Sequence, residues 1–105
     1  MGTEPVVQPL ADLVAWQKGA VISRALIKKT AGTVTLFAFD EGEGLSEHTA
    51  PFEALVLVLE GKADIAVDGA PHRVEAGESI MLPAGRPHGV RAVGPFKMML
   101  VMIKE

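Results

Sequence analysis

The sequence predicts an all-β fold: around eight or nine short strands closing into a sandwich or barrel, with one helical turn near the N-terminus. Three observations carry this expectation. Short apolar and β-branched runs alternate with glycine and proline turns along most of the chain. One of those turns, Asp68-Gly69, lies between two alternating runs that pair sensibly when folded back on each other. The only helical spacing is brief: LADLVAW at 10–16 puts Leu10, Leu13 and Val14 on one side.

The elements follow in order. Residues 1–9 lack periodicity and read as an extended arm, and 10–16 as a turn or two packed on the body, ending at Lys18-Gly19. Runs at 20–27 and 33–39 form an antiparallel pair around a turn over 28–32. DEGEG at 40–44 is an acidic loop without the alternating ligands and closing glutamate of a calcium loop, and reads as solvated. The least polar stretch, 54–59, lies between turn signals and reads as a strand buried on both faces. Around Asp68-Gly69 a two-residue loop sets Ile65 opposite His72, Asp64 opposite Arg73 and Lys62 opposite Glu75. Opposite charges on one face and apolar residues on the other are what a half-buried hairpin needs. His72 then falls on the apolar face. A strand over 77–82 ends at Pro83-Ala84-Gly85, 88–93 alternates, and Gly94-Pro95 leads into a last strand, 96–103, apolar on both sides apart from Lys97.

Length and composition limit the function. The 105 residues suffice for a single domain with one core. A net charge of −3, with no basic cluster larger than Lys28-Lys29, argues against nucleic acid or an anionic membrane surface as partner. The absence of cysteine removes disulfides, thiolate metal ligands and a thiol nucleophile. No run reaches membrane-spanning length, and the first residues lack the pattern of a signal peptide, so a cytoplasmic protein is expected. Strands 54–59 and 96–103 have two apolar faces where one barrel covers only one, which predicts a homodimer.

Two histidines stand at comparable places. His48 precedes Ala50-Pro51 and the apolar strand, and His88 follows Pro83-Ala84-Gly85. A histidine at the mouth of a buried strand needs a partner or a task. Ser46, two residues before His48, shares its strand face on regular alternation, but no nucleophile turn surrounds it. Met81, Met98, Met99 and Met102 suggest an adaptable apolar lining or interface.

These residues resemble the two signature motifs of the cupin family, the small RmlC-like jelly-roll barrels. Gly42, five residues, His48, one residue, Ala50, three residues, Ala54, six residues and Gly61 fit the first frame. Gly77, Pro83, Gly85 and His88 fit the second, with Ala92 where asparagine is usual. The resemblance implies a single small jelly-roll domain over 1–105. In metal-binding cupins two histidines and a glutamate of the first motif join the histidine of the second around a metal. Here only His48 and His88 keep their places, and Ala50 and Ala54 replace the other two. Glu53, turned inward by a bulge, or His72 would supply a third ligand; otherwise Glu53 points away from Ala54 and His72 is a packed core residue. Some sugar-epimerising members of the family rely on a tyrosine for acid/base work, which this chain lacks.

The favoured reading is a cupin that binds a small molecule near His48 and His88, in a pocket of Ala50, Ala54, Val56 and Val90, with no cofactor or a weakly held divalent transition metal. The alternatives are a metal-dependent enzyme of dioxygenase or isomerase type and a structural or interaction dimer.

Overall fold

A computed structural model describes residues 4–104. Nine strands and one 3-10 turn, Leu10–Leu13, make up the regular structure of these residues: β1 Val21–Lys29, β2 Gly32–Phe39, β3 Gly44–His48, β4 Glu53–Glu60, β5 Lys62–Val67, β6 Ala70–Glu75, β7 Ser79–Leu82, β8 His88–Ala92 and β9 Phe96–Ile103. They form two antiparallel sheets, ordered β1-β2-β9-β4-β7 and β3-β8-β5-β6. The expected all-β jelly-roll is the observed fold, and the helical turn is shorter than the 10–16 expected. Of the N-terminal arm, residues 4–9 have no regular structure and are exposed; the first three positions lie outside the described residues.

Alternation along each strand builds the core. Ala54, Val56 and Val58 of β4 point inward and are buried, meeting Ile65 of β5, Val90 of β8 and Met98 of β9. Phe39 and Phe96 face each other in the β2–β9 register, their rings stacked at 4.6 Å. The β5–β6 hairpin has the register read from the sequence, with Asp64 opposite Arg73 and Ile65 opposite His72. Its turn residues both lie at positive φ, Asp68 at 52° and Gly69 at 79°, the backbone that matches the twist of the flanking strands. Arg73 donates to Asp64 at 2.6 Å on the exposed face, holding the Asp64 carboxyl below the ordinary carboxylate range.

Two local expectations are corrected. The turn over 28–32 is tighter: β1 runs to Lys29 and β2 resumes at Gly32, leaving Thr30-Ala31 as the turn. A bulge between Ala25 and Ile27 supplies the extra residue and returns Ile27 to the outer face opposite Val34. Strand β4 is not buried on both faces. Its outer residues Leu55, Leu57 and Leu59 are only half-buried, because within one chain a single segment covers that side of the sheet. The acidic loop also has a structural anchor: Asp40 accepts N–H bonds from Gly19 (2.6 Å) and Glu41 (2.8 Å), which lower its pKa.

That covering segment contains the 3-10 turn. Val14 is buried against Leu36 and Ala38 on the outer face, with Leu10, Leu13 and Leu59 around it. Lys97, the one charge in β9, secures it. The residue is 8% exposed, and its ammonium donates to the Ala11 carbonyl at 2.7 Å and lies 4.6 Å from the centroid of the Trp16 ring. Trp16 donates its indole N–H to the Phe96 carbonyl at 3.1 Å, and Glu60 lies 3.7 Å from the ammonium. A buried ammonium is tolerable here because it has a carbonyl, an aromatic face and a carboxylate around it. Lys97→Met keeps the stem and removes the charge. It is expected to destabilise by about 1–2 kcal/mol and to shift the emission of the sole tryptophan to the red as the segment loosens. An unchanged spectrum and melting curve would show that the ammonium contributes nothing.

Candidate ligand site

The site begins with a defect in the β3–β8 ladder. Leu45 pairs with Val90 and His48 with His88, so three steps along β3 match two along β8. The extra residue is a bulge at Ser46-Glu47. It turns His48 to the same side as Leu45, which lines the interior. Regular alternation would have grouped His48 with Ser46, and that expectation is corrected. Residue 89 sits opposite the bulge, where a Cβ would lie 3.3 Å from both the Glu47 nitrogen and the Leu45 oxygen, a tight fit that the bulge would have to ease by a few tenths of an ångström. Gly89 therefore helps decide where His48 points.

His48 and His88 face each other across the ladder, ring centroids 4.5 Å apart and planes at 68°. His88 is buried and His48 stands exposed at the rim. Each ring is held by a carbonyl two residues earlier, His48 Nδ1 by Ser46 at 3.0 Å and His88 Nδ1 by Arg86 at 3.2 Å. A carbonyl only accepts, so Nδ1 carries the proton in both rings and Nε2 is left for a ligand. The Pro83-Ala84-Gly85 turn is tied to the same rim by the Gly85 N–H donating to the Ala50 carbonyl at 2.8 Å.

Below the histidines lies an apolar cavity. Ala50, Ala54, Val56 and Val90 line it together with Met98, Leu100 and Met102 of β9. The space it leaves for the centre of a water-sized sphere is about 50 Å³. That admits a few waters or a ligand of a few heavy atoms. Leu45, Phe52 and Leu82 complete the lining and were not singled out by the sequence. Leu82 was within reach of simple alternation from its strand; Leu45 was not, because its face depends on the bulge.

Neither candidate third ligand joins the pair. Glu53 is exposed and opposite Ile103, in a stretch of β4 that pairs regularly with β9, so it faces away from Ala54. The bulge that re-aims a side chain is in β3 instead. His72 keeps its expected place on the inner face opposite Ile65 but is not covered there. It is exposed, its Nδ1 is 3.3 Å from the Ile65 carbonyl, and it borders a groove with Ile80, Met81 and Arg86. The reason is position: β6 is an edge strand, and its inner face near residue 72 opens sideways rather than onto the core. Among the described residues no group of three or more His, Cys, Asp or Glu side chains is placed to hold a metal ion. A catalytic metal wants about three protein ligands. Two imidazoles do not fit that requirement.

Comparison with known proteins agrees with this architecture. Residues 35–104 match the model of the cupin domain. A conserved protein of unknown function from Streptococcus pyogenes is 33% identical, with a TM-score of 0.91 over 100% of this chain and 91% of its own. A cupin 2 conserved barrel domain protein from Leptotrichia buccalis is 43% identical, with a TM-score of 0.88 over 90% of this chain and 46% of its own. The polyketide synthase CurC of Streptomyces cyaneus is 31% identical over 70% of this chain and 49% of its own. The chain thus spans about half the length of that curated relative.

Proposed function

The chain belongs to the cupin domain family, and from that premise we propose that it binds a small, mainly apolar molecule in the barrel, with the ligand's polar end between His48 and His88. One observation carries this reading: two imidazoles with Nδ1 committed to backbone carbonyls sit at the mouth of a cavity whose remaining lining is apolar. Convergent polar groups on an apolar pocket are the general form of a small-ligand site. Ala50 and Ala54 support it, because side chains as large as histidine and glutamate would take up the space they leave. The activity of the Streptomyces polyketide synthase does not identify the ligand, since the match covers only 49% of that protein. No helix among the described residues is long and apolar enough to cross a membrane.

Any divalent transition metal held by this pair would have two protein ligands and water in its other positions. Elemental analysis of protein purified without a histidine tag tests this. The expected result is metal well below one per chain, removed by a mild chelator, and removed more easily in acid because protons compete for Nε2. Stoichiometric metal that survives chelation would replace the binding reading with the metal-dependent enzyme.

The outer face of the five-stranded sheet supports self-association. Register places Met81, Leu55, Val101, Val34 and Ile27 in one row across all five strands. The N-terminal segment covers the neighbouring Leu36 and Ala38 but leaves Ile27 51% and Met81 59% exposed. A second copy related by a two-fold axis lays such a row on itself, the self-complementary contact of an isologous dimer. Sedimentation at micromolar concentration is expected to give a dimer, and Leu55→Asp a monomer. A monomeric wild type would remove this part of the proposal.

A further inference from the structure

We propose that the rim of the cavity is a site for a soft monovalent cation, Cu(I), held by the two imidazoles and the thioether of Met102. Such a site goes beyond the binding reading above and adds a ligand residue outside both motif frames. Register supplies it. Met102 of β9 stands directly opposite Ala54 of β4, a buried residue of the inner face. Met102 therefore lines the same cavity as His48 and His88. It does so at the rim end, because Ala54 also pairs with Leu82, next to the turn that Gly85 ties to Ala50. Met98, the other methionine of the lining, is opposite Val58, about 13 Å away along β9.

The set of ligand atoms decides the ion. Each Nδ1 lies against a carbonyl, at 3.0 Å for His48 and 3.2 Å for His88, so Nε2 is the nitrogen left to bind. This holds whether a ring starts neutral or charged, because a charged ring releases its Nε2 proton to solvent on binding. The rings stand edge to face with centroids 4.5 Å apart, within reach of one ion with bonds of about 2 Å to each. A thioether is a soft ligand that selects Cu(I), and imidazole suits copper as well. Zinc wants four ligands, and the missing ones would be waters held against Leu45, Phe52 and Val56. Among the described residues no carboxylate joins the histidines to favour a harder ion. Cu(I) also carries half the charge of a divalent ion, so an apolar surround costs it less.

The test titrates the untagged full chain with Cu(I) alone, without oxygen, in competition with a coloured Cu(I) chelator. X-ray absorption at the copper edge reads the ligand atoms. The expected result is one Cu(I) per chain with two nitrogen neighbours and one sulfur, not displaced by zinc at equal concentration. Met102→Leu is close in volume and keeps the fold. It should remove the sulfur signal and weaken binding about tenfold or more, since even residues that only support a metal ligand cost that much. Met98→Leu, and Met81→Leu at the exposed surface, should change neither the affinity nor the spectrum. Cu(I) held equally by wild type and Met102→Leu, or a sulfur signal lost with Met98→Leu instead, would overturn the Met102 site. Displacement by zinc would overturn the preference for a soft ion. The small-molecule reading is tested separately, on metal-free protein, and stands or falls on its own.

Discussion

Ala50→His combined with Ala54→Glu is expected to raise zinc affinity by about a thousandfold or more. Both alanines line the cavity beside His48 and His88, and Ala54 is on the buried inner face of β4. The two new side chains would enter the space that the small residues leave and meet two imidazoles already oriented by carbonyls. A four-ligand structural zinc site is worth roughly 10–16 kcal/mol. Two of its four ligands therefore supply on the order of 5 kcal/mol, and every 1.4 kcal/mol is about tenfold. The variant should also be less stable than wild type without metal, because two polar side chains are then buried in a cavity lined by Val56 and Met98 with no ion to satisfy them. Zinc should restore the lost stability. Competition against a coloured chelator measures the affinity, and a variant that binds zinc no better than wild type would show that the cavity cannot bring four ligands together.

The same site shows what could be read from residues alone. The motif spacing brings His48 and His88 together, because both frames are local and strand pairing follows from them. The hairpin register was equally legible: Asp68-Gly69 specifies the turn, and the Asp64–Arg73 pair checks it. The bulge was not. Whether a strand takes an extra residue depends on its cross-strand neighbour, here Gly89, and nothing near Ser46-Glu47 announces it. The exposure of His72 was hidden for a related reason. Alternation assigns a face correctly, but only sheet order reveals that β6 is an edge whose inner face opens sideways. Lys97 looked like an interruption in an apolar strand. Its partners Ala11 and Trp16 lie far away in the chain, so only the fold explains it.

Phe96→Ala is expected to remove about 3–5 kcal/mol of stability, the largest effect of any single truncation at this end of the barrel. Phe96 is fully buried, and its ring stacks on Phe39 at 4.6 Å with planes 10° apart. Truncation leaves a cavity facing that ring, and the stacked pair adds about 0.5–1.5 kcal/mol beyond its area. The surroundings have little freedom to collapse. On one side Gly61, at φ 75°, brings its backbone so close that a Cβ there would lie 2.8 Å from the Phe96 Cβ. On the other, Lys97 and Trp16 hold the adjacent backbone, the latter through the Phe96 carbonyl. Against a total of about 5–15 kcal/mol for a domain, the loss decides whether the chain folds at physiological temperature. Urea unfolding should show a lower midpoint with an unchanged slope, since the surface exposed on unfolding is nearly the same. Phe96 does not line the ligand cavity, so folded molecules of the variant should bind small probes of that cavity as wild type does. A loss below about 1 kcal/mol would mean that the Phe39–Phe96 pair is not the anchor of this end of the core. Weakened probe binding at a temperature where the variant is fully folded would mean that the two ends of the barrel are coupled through β9, from Phe96 to Met102.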